Sequence, residues 1–208
     1  IVTAGSPRLS GAPFVGIDNR AAGAAVAQHL LDLGHTGFGL VTRPVRDDSH
    51  GTWRGGAPRL GIRQRVEGFV HAVQEAGLDE SAVQIVTATE NTAEAGAEAA
   101  RTLIEASADG RPTAIFAATD VLALGVLSAA DSAGLRVPNH LSVVGFDDIP
   151  EAALSVPTLT TVAQSLFEQG VQAARLALAS MAGEHVRSPR LPAELVVRES
   201  TGVPPRPR

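Results

Sequence analysis

RPTAIFAATDVLALGVLSAADSAGLRVPNHLSVVGFDDIP, residues 111–150, reads as one strand–helix–strand unit. The runs TAIFAA (113–118) and LSVVGF (141–146) have strand length and are nearly continuously apolar, the pattern of strands buried on both faces. Between them Leu124 and Leu127 lie on one face of a helix over 121–133, and Gly134 follows where glycine can take the left-handed conformation that ends a helix. Each strand then runs into carboxylates: Asp120 after the first, Asp147 and Asp148 after the second. Three explanations compete for that second pair: a metal or phosphoryl site, a hydrogen-bonding site for a neutral polar ligand, and a solvated turn.

The same unit recurs in the preceding part of the chain. FVGI (14–17), FGLVT (38–42) and VQIVT (83–87) alternate with helical patterns: Ala22, Val26, Leu30 and Leu33 within 21–33, and Val66, Phe69, Val70 and Val73 within 64–77. These helices also end at glycines, Gly34 and Gly77. The alternation predicts an α/β fold with a parallel sheet covered on both faces and right-handed crossovers. Ligands of such sheets lie outside the carboxyl ends of the strands, so Asp120 and Asp147 are expected on one rim. After residue 150 the pattern changes: VPTLTTV (156–162) reads as an extended connection, 165–182 as an Ala-rich helix and LPAELVVRES (191–200) as one more strand, before a Pro/Arg tail expected to be disordered. Residues 43–63 form an irregular stretch containing the single tryptophan, Trp53; a loop of about 20 residues beside a strand end is usually functional or mobile.

Composition narrows the function. With 208 residues and 44% hydrophobic content the chain can bury a core as one large domain or two small ones. It has no Cys, which removes disulfides, thiolate zinc sites and cysteine nucleophiles. All 17 basic residues are Arg, so a Walker-type phosphate loop and Schiff-base chemistry are also removed. A net charge of -5 without a dense basic run is not the footprint of a nucleic-acid binder, and any DNA contact would come from another segment. No apolar run approaches the roughly 20 residues that span a bilayer. The six histidines, His29, His35, His50, His71, His140 and His185, show no metal-ligand spacing; no metal site and no cofactor are expected. The start at Ile1 is expected to be that of a fragment.

The stretches VGIDNRAAGAAVAQHLLDLGH (15–35), RVEGF (65–69), the opening 111–150 segment, PTLTTVAQ (157–164) and LPAELVVREST (191–201) resemble, in order and spacing, the effector-binding part of the LacI/GalR family of bacterial transcription regulators. The resemblance implies a periplasmic-binding-protein-like type I fold: two Rossmann-like lobes with parallel sheets, and a small-molecule effector in the cleft between them. Mapped onto this chain it puts 1–18 and 161–185 in a partial N-terminal lobe, 19–160 and 186–201 in the C-terminal lobe, and 202–208 in a flexible tail. The family's DNA-binding headpiece and the start of the N-terminal lobe are absent from this sequence. The implied protein is a cytoplasmic homodimer that binds a sugar or sugar-like metabolite, meets operator DNA through the headpiece, and has no membrane partner. The alternative is a periplasmic sugar-binding protein of an importer. A third, enzymatic reading, Mg²⁺ at the acidic pair, lacks the lysine such sites use.

The resemblance also nominates residues. Asp147 matches the family's effector-contacting acid, and a carboxylate there can accept hydroxyl protons; the alternative is a turn acid capping nearby amides. Asp148 is expected to cap or face solvent. Arg65 matches the ligand-binding arginine, whose planar fork suits hydroxyl pairs; the alternative is a surface arginine at a helix start, where the dipole disfavours a cation, and that conflict favours function. Thr119 stands where sugar-binding relatives place a ligand-contacting polar residue, while Asp120 is read as the N-cap of helix 121–133. Gln164 either points into the cleft or begins a helix. Asn91 stands where several relatives carry an aromatic that stacks on the effector. Trp53 either replaces that platform or packs back onto its own lobe. Asp18 and Asn19 lie near a lobe crossover, and the alternative for Asp18 is the cap of helix 20–33. His35, after Gly34, is read as a partly cationic ring at a helix end.

Overall fold

The computed structural model describes residues 2–5, 12–43, 60–105, 111–184 and 187–205. Four parallel strands form the main sheet in the order β4 (Val83–Thr87), β3 (Phe38–Thr42), β5 (Ala114–Ala117), β6 (Ser142–Val144). Every residue of β3, β5 and β6 is buried, which is why these segments carry no polar alternation. The edge strand β4 leaves Ile85 half exposed.

One face is covered by α3 (Ala93–Ile104) and α4 (Asp120–Ser132), which enclose Val41, Ile115, Ala117 and Val143. The other is covered by α1 (Asn19–Asp32) and α2 (Leu60–Glu75), over Phe38, Leu40, Phe116 and Val144. Phe69 of α2 sits between two rings there, edge-on to Phe38 at 5.5 Å and stacked on Phe116 at 5.4 Å. Helices α1 and α2 approach to backbone contact at two glycines. A Cβ on Gly23 would lie 2.0 Å from the Arg65 carbonyl oxygen, and one on Gly68 would lie 2.0 Å from that of Arg20.

Beyond β6 the sheet continues in a different sense. Asp147 N–H donates to the Val162 carbonyl (3.0 Å) and Gly145 N–H to that of Thr160 (2.9 Å), so β7 (Thr161–Gln164) runs alongside 144–147. β7 pairs antiparallel with β8 (Ala193–Val196). The expected extended connection is thus partly a strand, and the expected last strand is shorter than 191–200 and antiparallel to its neighbour. The short helix α5 (Pro150–Leu154) joins β6 to this ribbon.

A second, smaller group holds β1 (Thr3–Ala4) parallel to β2 (Phe14–Val15), with α6 (Leu166–Met181) packed on both. Only Gln169 of α6 is buried, while Leu166, Phe167, Leu178 and Met181 are exposed.

Two expectations are corrected here. The tail expected to be flexible from 202 is fastened at its start: Gly202 N–H donates to the Ser142 hydroxyl (3.0 Å) and its carbonyl accepts from His35 Nε2 (2.9 Å). His35 is not a cationic ring at a helix end. It is buried among Thr113, Ser142 and Gly202, and burial holds its pKa below the ordinary value, so it is neutral at pH 7.

Candidate functional site

Helix α2 begins five residues before Arg65, so the side chain leaves the second turn and not the helix start. The expected conflict with the helix dipole therefore disappears. Burial replaces it as the notable feature, since Arg65 is 7% exposed. Its Nε donates to Asn19 Oδ1 (2.8 Å), its Nη1 to the Ala118 carbonyl (2.8 Å), and its guanidinium lies 3.5 Å over the Phe146 ring. Asn19 opens α1 and Ala118 follows β5, so the close α1–α2 crossing at Gly23 carries Arg65 to the carboxyl end of the sheet. Desolvation lowers its pKa to about 10, with Asp147 acting against that, and it stays cationic at neutral pH.

Asp147 faces it from the end of β6, with Arg65 Nη1 3.5 Å from its Oδ1. The same Oδ1 accepts from Gln164 Nε2 (2.5 Å), and Gln164 Oε1 accepts in turn from Gln169 Nε2 on α6 (3.3 Å). A strip of polar groups thus runs from the main sheet to the smaller group. Burial raises the Asp147 pKa to about 6, outweighing the pull of Arg65 and Gln164 toward the charged form. Its backbone is left-handed, φ 124°, as is that of Asp148 at 54°, a region that side chains other than glycine rarely occupy. Asp148 neither caps a helix nor lies bare in solvent: it accepts from Arg198 Nη2 at 2.7 Å, and Arg198 also binds the Leu159 carbonyl.

Asp120 is not the cap of α4. Thr119 is, its Oγ1 accepting from Leu122 N–H (3.4 Å) while its hydroxyl donates to Asn91 Oδ1 (2.7 Å). Thr119 and Asn91 are therefore joined beyond the carboxyl ends of β5 and β4. The Asp120 carboxylate, fully buried, turns instead toward β7 and the loop after Asp148. Asp120 and Asp147 do share one rim, close enough for each other's charge to matter.

Asp18 caps α1 by accepting from Ala21 N–H (3.0 Å) and pairs with Arg190 at 2.6 Å on the exposed side. With Asn19, Gly61, Gln64 and Phe14 it lines a cleft that opens between the smaller group and the start of α2. Trp53 lies outside the described residues. Sequence reasoning missed Gln169 and Arg198 altogether, and an isolated amide or guanidinium gives no periodic signal by which to find them. Among the described residues no cluster of three or more His, Asp or Glu could hold a metal ion. The site offers paired donors and acceptors.

A family profile described as a periplasmic binding protein-like domain matches residues 27–201. The HTH-type transcriptional regulator DegA of Bacillus subtilis is 39% identical over 192 residues, 90% of this chain and 52% of DegA. The HTH-type transcriptional regulator MalR of Streptomyces coelicolor is 38% identical over 200 residues, 93% of this chain and 53% of MalR. The chain thus spans about half the length of the curated relatives it matches. A LacI family transcriptional regulator from Enterococcus faecium, crystallised with ribose bound, superposes with a TM-score of 0.84 at 25% identity, covering 97% of this chain and 70% of that one.

Proposed function

The chain belongs to the periplasmic binding protein-like domain family, in the branch found in LacI-type regulators, and from that premise we propose that it is the effector-sensing part of a DNA-binding transcription regulator. The effector is a small, neutral, polyhydroxylated metabolite of the sugar class. The observation that supports this reading is the buried Arg65–Asp147 couple at the sheet's carboxyl end. A diol presented to it meets guanidinium donors for its oxygens and a carboxylate acceptor for its protons. Opposite charges in one buried site leave little net field, which favours a neutral ligand over an ionic one. Gln164, Thr119 and Asn91 supply further hydrogen bonds around this centre, and Asp18 lies at its margin. The ribose held by the Enterococcus faecium relative agrees in chemical class.

Such a ligand regulates through its differential affinity for two lobe arrangements. With a net charge of -5 this chain is not itself the DNA-contacting part, and a segment outside it meets the operator. The protein works as a homodimer in the cytoplasm and is not an enzyme. An importer's binding protein would use the same closure, but the matched relatives are named as helix-turn-helix regulators. Among the described residues no helix is long and apolar enough to cross a membrane.

Calorimetric titration of the full-length protein with D-ribose, other neutral monosaccharides and their phosphates tests the reading. Saturable binding of a neutral sugar, lost in Asp147→Ala, is expected. Binding of phosphorylated sugars alone would overturn the neutral class, and Asp147→Ala binding like wild type would overturn the site.

A further inference from the structure

Asp120 is fully buried, so it cannot touch an effector in the cleft, yet it is tied to both sides of the turn that presents Asp147. Its N–H donates to the Phe146 carbonyl (2.7 Å), just before the turn. Its Oδ2 accepts from Ile149 N–H (2.9 Å), just after it, and its Oδ1 accepts from the Thr161 hydroxyl of β7 (2.5 Å). The two residues so bracketed, Asp147 and Asp148, are the only described residues other than glycine with positive φ. A turn of that kind needs its surroundings to hold it. Gly145 completes the fit, since a Cβ there would lie 2.1 Å from Asp120 Oδ1.

We infer that Asp120 is the positioning residue of the effector site: its amide and carboxylate lock the 146–149 turn in the one conformation that aims Asp147 at Arg65 and Gln164. The inference rests on the proposed function in one respect, that Asp147 is the residue the effector meets. The hydrogen bonds divide the labour between neighbours, with Thr119 capping α4 and leaving Asp120 free to hold the turn.

Two readouts on the full-length protein test this. The first needs no ligand: hydrogen exchange of the Asp147 amide, which donates to Val162, compared with the Val126 amide in the middle of α4. In Asp120→Asn the charged acceptor becomes a neutral amide whose N–H₂ faces either the Ile149 N–H or the Thr161 hydroxyl, which must then turn to accept, so the bonds holding the turn weaken and the Asp147 amide should exchange about ten-fold faster while Val126 is unchanged. Equal acceleration of both amides, or of neither, assigns Asp120 a general structural role and overturns the inference. If Asp120→Asn fails to fold, Thr161→Val removes one of the carboxylate's partners and should accelerate the same amide selectively. The second readout is D-ribose affinity in a double-mutant cycle. Asp120→Asn should weaken binding about ten-fold in the wild type and not at all in Asp147→Asn. Equal losses in both backgrounds overturn the route through Asp147. A wild type that binds neither D-ribose nor any other neutral monosaccharide defeats the sugar reading, and amide exchange then still decides the role of Asp120.

Discussion

Arg65 and Asp147 stand 3.5 Å apart, and burial pushes each toward its neutral form, the guanidinium down to about 10 and the carboxyl up to about 6. Neither shift abolishes the charge at pH 7, so each group is the other's main compensation. Arg65→Ala removes that compensation from a carboxylate whose side chain is only 22% exposed. The expected outcome is a loss of about 2–3 kcal/mol in urea unfolding at pH 7, near the lower end for a broken buried pair. The double variant Arg65→Ala/Asp147→Ala should lose less than the sum of the singles, because no buried charge is left behind.

Acid should act on stability and on binding with opposite signs. The folded pKa of Asp147, about 6, lies above the unfolded value of about 4. Its contribution is therefore fully present below pH 4 and is lost as pH rises through 6. Replacing the carboxylate with Asn removes this dependence, so the melting temperature of Asp147→Asn relative to wild type should rise between pH 4 and 7. The charged acceptor should hold a sugar more tightly than its neutral form, so in wild type affinity should fall as pH drops below 6. Paired melting and calorimetric titrations across this range check both slopes: the relative melting temperature of Asp147→Asn and the wild-type affinity should both rise with pH, and opposite slopes of these two quantities would contradict the assignment.

The parallel sheet was legible because FGLVT and AIFA are buried on both faces, which leaves an unbroken apolar signature. The start of α2 was not, because Leu60 and Ile62 are interspersed with Gly and Arg that break the helical period before Arg65. At Thr119 and Asp120 two competent caps are adjacent, and only burial of the carboxylate decides between them. The role of His35 depends on Thr113, Ser142 and Gly202, which lie 78, 107 and 167 residues away along the chain. Asp147 and Arg65 are nominated by the resemblance, and the geometry that joins them to Asn19, Gln164 and Phe146 belongs to the fold alone.

The crossing of α1 and α2 sets the position of Arg65, and it depends on Gly23. A methyl group there would meet the Arg65 carbonyl at 2.0 Å, backbone against side chain, with no flexible atom to yield. Gly23→Ala should therefore separate the helices, at a cost of about 1–3 kcal/mol in denaturant unfolding. It should also weaken sugar binding, although residue 23 touches no ligand. Alanine at Gly77 meets no atom within 4 Å, but its φ of 86° is strained for a side chain. That variant serves as a control expected to lose stability and keep affinity.

Gln169 separates stability from signalling. It is the single buried residue of α6, 4% exposed, and its amide holds Gln164, which holds Asp147. Leucine has similar bulk and no polar atoms, so Gln169→Leu removes a buried amide whose hydrogen bond among the described residues is a long one of 3.3 Å. The fold should be as stable as wild type or slightly more so, since removing a poorly satisfied polar group relieves its desolvation. Gln164 loses the contact that fixes which end of its amide faces Asp147. With the oxygen turned toward the carboxylate, two acceptors would oppose each other. Sugar affinity should drop by several-fold through this loss of order while Asp147 and Arg65 remain intact. Equal or raised melting temperature with weakened binding is the expected pair of results. Lower stability with unchanged affinity would show that the amide serves only the packing of α6 on β1 and β2.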